Sequence, residues 1–129
     1  MLDIDTCIYW LNGVQSVREN VIRVGEDRLY ISIVTLAELK FGAYNSNRVN
    51  DNLRRICDFL SKVKVILITD EIADLFGKIK SELRRKGQII SDIDIFIICT
   101  GIANEMIIVS NNEEHFNRVA GITIQNWTN

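Results

Sequence analysis

Proline is absent from this chain of 129 residues, and histidine occurs once, at His115. Without proline there is no stiff linker, and nothing in the composition divides the chain. A single histidine excludes catalysis by a histidine acid–base pair and leaves His115 as the lone base for any Ser–His–Asp arrangement. Its setting, Glu113-Glu114-His115-Phe116, reads instead as a solvated turn. Cysteine is sparse: Cys7, Cys57 and Cys99 are odd in number, far apart and in no CxxC pair. That excludes a disulfide framework and a Cys/His zinc site, and fits reduced thiols in a cytoplasmic protein, read as small buried hydrophobes. Long apolar runs are missing too. The longest, Ile95 to Val109, is broken by Asn104 and Glu105 and is too short to span a bilayer. Asp3 and Asp5 interrupt the first residues, so no secretory leader is expected. Nor is there an excess of positive charge: 15 Lys and Arg face 17 Asp and Glu, a net charge of −2. Bulk charge is therefore not how this protein would grip nucleic acid, while reaching a phosphate through metal ions stays open.

What is present is an ordinary globular composition, 47% hydrophobic and 25% charged, enough for one core in one domain over residues 1–129. Met1 to Ile4 reads as a very short strand ending at Asp5. Val14, Val17, Val21 and Val24 form a helical stripe closed by Gly25. Leu29 to Val34 reads as a buried strand, then Thr35 to Gly42 and Asn47 to Lys62 as helices. Val63 to Ile68 is a second strand-like run. Thr69 and Asp70 are caps for a helix that ends at Arg84, Arg85 and Lys86, before Gly87. Asp92 to Asn104 is an apolar helix, Met106 to Val109 a strand, Glu113 to Val119 a short helix and Ile122 to Trp127 a last strand-like piece. Alternation of this kind predicts an α/β fold with a mainly parallel sheet, in which sites lie beyond the carboxyl ends of the strands.

The most informative stretch is Ile90-Ser91-Asp92-Ile93-Asp94, two carboxylates just ahead of the apolar run Ile95 to Cys99. An isolated buried charge is costly. These acids therefore either cap a helix, Ser91-x-x-Asp94 being close to a capping box, or hold something positive. The strand-end rule adds candidates: Asp5 past the first strand, Glu38 on the helix after the second, and Ser110, Asn111 and Asn112 past the Met106–Val109 strand. Each has a plain alternative. Asp5 reads as a turn residue, Glu38 as an exposed helical acid and Asn112 as a cap for Glu113 and Glu114. Arg84, Arg85 and Lys86 read as a cationic helix end or a contact for a nucleic-acid backbone; Arg54 and Arg55 read as a solvated face. Tyr9, Trp10 and Trp127 suit packing better than base stacking, with Tyr9, Trp10 and Phe59 expected at a surface.

Taken in order, these segments resemble a known family. Leu2 to Thr6, ending Asp5-Thr6, is similar to the opening LDT of PIN-domain nucleases. Ser32 to Leu39, with Ala37-Glu38-Leu39, resembles their second motif; Ile90 to Ile98 resembles the third; Val109-Ser110-Asn111-Asn112, with Phe116, resembles the fourth. Cys7 stands where the family commonly has Asn, and Ser91 where it commonly has Gly. The resemblance covers the whole chain and is greatest to VapC-type toxins of bacterial toxin–antitoxin pairs.

The resemblance implies a PIN-like three-layer fold, a mainly parallel central sheet flanked by helices, and an endoribonuclease dependent on Mg²⁺ or Mn²⁺. It places Asp5, Glu38, Asp94 and Asn112 in the catalytic cluster, with Asp5, Glu38, Asp94 and Asp92 toward the metal. Ser110 matches the small hydroxyl residue of the fourth motif, and Arg84, Arg85 and Lys86 are candidates for RNA contact. The implied partners are an RNA substrate, tRNA or ribosomal RNA, a cognate antitoxin, DNA only through that antitoxin, and a second copy of the chain. Hard oxygen donors suit these ions, and metal-assisted hydrolysis of a phosphodiester follows from them. Two rivals remain on the residues alone. Asp3-Ile4-Asp5 invites a haloacid-dehalogenase-like phosphatase, and Asp70 a receiver-like phosphoacceptor.

Overall fold

The structure, a computed structural model, describes residues 1–128. Its strands are short: β1 (Tyr30–Ser32), β2 (Lys64–Ile66), β3 (Ile108–Val109) and β4 (Ile124–Gln125). β1 pairs in parallel with β2, Ile31 opposite Val65, and β3 pairs in parallel with β4, Ile108 opposite Ile124. The Met1–Asp3 segment joins the two pairs. Leu2 bridges Val109 in parallel, its N–H donates to the Tyr30 carbonyl at 2.8 Å, and the Asp3 N–H donates to the Val109 carbonyl at 3.0 Å.

The helices are α1 (Ile4–Leu11), α2 (Gln15–Val24), α3 (Ile33–Tyr44), α4 (Val49–Leu60), α5 (Asp70–Arg85), α6 (Asp92–Ala103) and α7 (Glu113–Phe116). Successive residues of a strand face opposite sides of a sheet, and the chain follows that rule. Leu2, Ile31 and Val109 enter one core, with Cys7, Val17, Leu39, Ile56 and Phe59. Met1, Tyr30 and Ile108 enter another, with Ile72, Ile79, Ile95, Ile98 and Phe116. The result is the expected three-layer α/β arrangement, with α1–α4 over one face and α5–α7 over the other. Among the described residues no helix is long and apolar enough to cross a membrane.

The boundaries depart from the sequence reading because capping side chains cut the strands short. Ser32 Oγ accepts the Val34 N–H at 3.1 Å, so α3 begins at Ile33 and takes two residues from the expected Leu29–Val34 strand. Asp3 Oδ1 accepts the Thr6 N–H at 3.0 Å, so α1 begins at Ile4 and Asp5 falls inside it instead of past the first strand. Thr69 caps α5 through the Ile72 N–H, leaving Asp70 exposed in its first turn. The expected Glu113–Val119 helix stops at Phe116, and Ile122 to Trp127 contributes only the two residues of β4. Cys7 and Cys99 are buried as expected, but Cys57 is exposed. Phe59 is core at 3% exposure, correcting its expected place at the surface, where Trp10 packs edge-on against it.

Candidate active site

Three of the capping or strand-end residues, Asp3, Ser32 and Ser110, lie at the carboxyl ends of neighbouring strands, and the site is built around that edge. Asp3 is 5% exposed. Its Oδ2 accepts from the Ser110 hydroxyl at 2.5 Å, and Ser110 Oγ in turn accepts the Asn112 N–H at 2.8 Å. The Thr6 hydroxyl donates to the Val109 carbonyl at 3.1 Å and ties α1 to β3. Burial pushes the Asp3 carboxyl above its ordinary value; Ser110 and Thr6 pull it back, and the charge of Asp5 pushes it up again. Ser110 is itself fully buried, so its contribution is to hold Asp3, and it does not reach a ligand.

Asp5 sits in the first turn of α1, where the helix dipole favours a negative charge. Glu38 faces it from α3 and is partly buried. The Glu38 carboxyl lies above its ordinary value, first through burial, then through the charge of Asp94, then that of Asp5. Acids from α1, α3 and α6, far apart in sequence, thus feel one another's field, as the strand-end rule implied.

At α6 the two readings of Ser91-x-x-Asp94 are compatible. Ser91 Oγ accepts the Asp94 N–H at 3.2 Å and caps the helix. The Asp94 carboxylate takes no part in that cap and lies on the site side, 3.3 Å from His115 Nδ1. His115 lies in α7 and not in a turn, its side chain is 40% exposed, and Asn112 Nδ2 stands 2.9 Å from the same Nδ1. Asn112 occupies the cap position of α7 without a side-chain cap bond, because its amide is turned to His115. Asp92 is directed elsewhere, its carboxylate 2.8 Å from Lys80 Nζ of α5.

Arg84, Arg85 and Lys86 are exposed at the end of α5, with Arg85 donating to Ser81 Oγ at 2.8 Å. The short stretch after them leads to Ser91 and the start of α6. A groove of about 440 Å³ runs between α1, α3 and α4, with Asp5 and Glu38 in its wall, Ile8, Leu39 and Ile56 along it, and Asn52 and Arg55 beside them.

Among the described residues no Lys or Arg forms an ion pair with Asp3, Asp5, Glu38 or Asp94. Carboxylates gathered without a Lys or Arg partner present hard oxygen donors, which fits a divalent cation. No three of the Asp, Glu, His or Cys side chains among the described residues close into a ready metal cage.

Sequence reasoning missed Asp3 and His115. Asp3 was legible as a helix cap two residues before Asp5. Asn112 and His115 are three apart, the spacing that puts two side chains on one face of a helical turn.

A family model described as PIN domain matches residues 1–122. The chain belongs to the PIN-domain family. Relatives of this PIN domain include Ribonuclease VapC2 of Rickettsia felis, 30% identical, covering 98% of this chain and 96% of the relative. The tRNA(fMet)-specific endonuclease VapC of Salmonella typhimurium is 34% identical, with 98% and 96% covered. Among solved structures, VapBC of Salmonella typhimurium bound to DNA superposes with a TM-score of 0.92 at 33% identity, covering 98% of this chain and 96% of that one. VapBC2 of Rickettsia felis, bound to a DNA fragment from its promoter, superposes with a TM-score of 0.91 at 29% identity, covering 98% and 97%. The likeness to VapC-type proteins read from the motifs extends over 98% of the chain.

Proposed function

We propose that this PIN domain is an endoribonuclease, the toxin of a toxin–antitoxin pair, that hydrolyses phosphodiester bonds with a divalent ion, Mg²⁺ or Mn²⁺. The observation that carries the reading is the convergence of Asp5, Glu38 and Asp94 from three helices, with Asp5 and Glu38 in the wall of one groove, the charges of Asp94 and Asp5 bearing on Glu38, and no Lys or Arg paired with any of the three among the described residues. Asp3, Asp5, Glu38 and Asp94 would hold the ion. When bound, it supplies positive charge at the phosphate undergoing attack.

The chain's own residues do the rest. Ser110 fixes Asp3 and, through the Asn112 N–H, the turn that carries Asn112. Ser91 fixes the start of α6 and so the height of Asp94. Asp92, paired with Lys80 and largely exposed, serves the α5–α6 contact and is not needed for the ion. Arg84, Arg85 and Lys86 are exposed at the surface and suit phosphates of an RNA strand, the salt-dependent and sequence-independent part of binding. Relatives named as tRNA endonucleases make tRNA the first substrate to try. The VapBC structures support a cognate antitoxin as partner, with DNA reached through it. A homodimer belongs to the same reading, and Phe41, Tyr44 and Leu67 are large apolar side chains exposed for it.

The test is cleavage of total tRNA by purified protein with Mg²⁺ or Mn²⁺, beside an EDTA control and Asp94→Asn. Cleavage at discrete positions, abolished by EDTA and lowered at least about a hundredfold by the variant, is expected. Undiminished cleavage by the variant would sink the assignment.

A further inference from the structure

The chain carries a net charge of −2, yet three cations share one concavity. The groove with Asp5 and Glu38 in its wall continues past Leu11 and Arg55 into a pocket of about 330 Å³. Arg18 of α2, Arg55 of α4 and Lys62, two residues past the end of α4, line that pocket beside Asp58. Among the described residues no carboxylate forms an ion pair with any of the three, Asp58 included.

The fold sets their positions. The solvated face expected at Arg54 and Arg55 divides: Arg54 pairs with Asp51, while Arg55 Nη2 donates to the Leu11 carbonyl at 2.9 Å. That bond ties Arg55 to the end of α1 and engages one donor of a planar fork that carries five. Arg18 Nη1 lies 3.8 Å from where a Cβ on Gly13 would stand, so its guanidinium rests over the turn that follows Leu11. Lys62 Nζ stands 6.0 Å over the Trp10 ring, which is packed edge-on against the buried Phe59. Like charges gathered in this way repel one another, and an anion between them is attracted by all three. Two arginine forks match the paired oxygens of a phosphate.

We propose that Arg18, Arg55 and Lys62 form a phosphate subsite that holds the RNA strand a few nucleotides from the bond to be cut. The inference rests on the reading of the acids as an RNA-cleaving centre and gives the strand its course away from them. From Asp5 to Leu11 is about 9 Å along α1, the reach of two or three nucleotides at roughly 3.4 Å each. The acids by themselves repel a polyanion, and the net charge supplies no attraction in bulk. A cationic pocket at the far end of the same groove supplies it locally. Between the two ends Ile8, Leu39 and Ile56 give an apolar floor, suited to bases whose phosphates are held on either side. A protein segment acidic throughout would be repelled at the Asp5 and Glu38 end, whereas the ion of the proposed site draws an RNA strand there.

The experiment uses the full chain in EDTA, so that the probe, a short fluorescently labelled single-stranded RNA, stays intact. Anisotropy reads its affinity between about 50 and 200 mM KCl. Arg18→Gln with Lys62→Gln removes two charges from exposed side chains and leaves Arg55, which ties α4 to α1, in place. Affinity at about 0.1 M salt should fall at least about tenfold, and the slope of log affinity on log salt should flatten by about 1.4, at roughly 0.7 per phosphate contact. Arg23→Gln with Lys78→Gln removes the same charge from exposed residues outside the groove and should change affinity less than about twofold. In tRNA cleavage with Mn²⁺ the first pair should raise KM about tenfold and leave kcat within about twofold. Equal losses from the two pairs would trace the effect to net charge and overturn the subsite. So would a wild type that fails to bind RNA at the lowest salt, or unchanged RNA affinity in the first pair, which would leave the pocket to an acidic protein segment. A wild type that binds RNA with the expected dependence but does not cleave it overturns the nuclease reading and leaves the subsite standing.

Discussion

Replacing Ser110 by alanine removes one oxygen from the interior and strands two partners. The Ser110 hydroxyl donates to a carboxylate that is 5% exposed, and it accepts the Asn112 N–H. A hydrogen bond to a charged group contributes about 1.5–3 kcal/mol, and a buried group left unpaired loses about as much again in desolvation. Water can reach the Asn112 N–H on a partly exposed residue, so the Asp3 bond dominates. Ser110→Ala should therefore destabilise the fold by about 3 kcal/mol, near a 9 °C fall in Tm at roughly 3 °C per kcal/mol for a chain of this size. Asp51→Ala, which breaks an exposed pair with Arg54, is the control and should cost less than about 0.5 kcal/mol.

The pH dependence has a definite sign. Asp3 ionises less readily in the folded chain than its ordinary value of 3.8, and Ser110 is one of the groups that lowers it. Loss of the hydroxyl raises the folded pKa further. The destabilisation is then full where Asp3 is ionised and disappears as pH falls through the folded pKa toward 3.8. Urea unfolding of both proteins from pH 7 down to pH 4 reads this directly. A loss under about 0.5 kcal/mol, or a loss independent of pH, would refute the claim that Ser110 holds an ionised Asp3.

Glu38→Gln tests the repulsion within the acid cluster. Because the folded Glu38 pKa is raised above 4.5, its favourable contribution is present below that value and is lost as pH rises through the folded pKa. The glutamine variant should therefore match or exceed metal-free wild type in Tm at pH 7, lose that advantage near pH 4, and show a smaller Tm rise with Mn²⁺. Two helical glycines should respond oppositely to alanine. At Gly77, on the exposed side of α5, a new Cβ meets nothing within 4 Å, so Gly77→Ala should stabilise by about 0.5–1 kcal/mol in urea unfolding. At Gly101 in α6 the Cβ would stand 3.0 Å from two side-chain carbons of Ile108, which is fully buried, and overpacking of about 1–3 kcal/mol should cancel or exceed the same gain.

Much of this protein was legible in its sequence. The stripes Val14 to Val24 and Ile72 to Leu83 set two helices almost to the residue, because helical periodicity and capping act locally. The order of the four acidic or polar motifs made Asp5, Glu38, Asp94 and Asn112 candidates for one site, because a parallel α/β chain returns each strand end to one edge. What the sequence could not separate were outcomes decided by a cap or by a partner far along the chain. Asp3 and Asp5 look alike in a line of letters. The Thr6 N–H and the Ser110 hydroxyl, 107 residues away, make Asp3 the buried end of the strand and put Asp5 in the helix. Asp92 and Asp94 are likewise equivalent on paper, and only the packing of α5 against α6 turns one to Lys80 and the other toward His115. Local chemistry determined the elements and the carboxylates available to the site. The tertiary structure decided which of them meet, because a side chain's partner is fixed by the chain that packs against it.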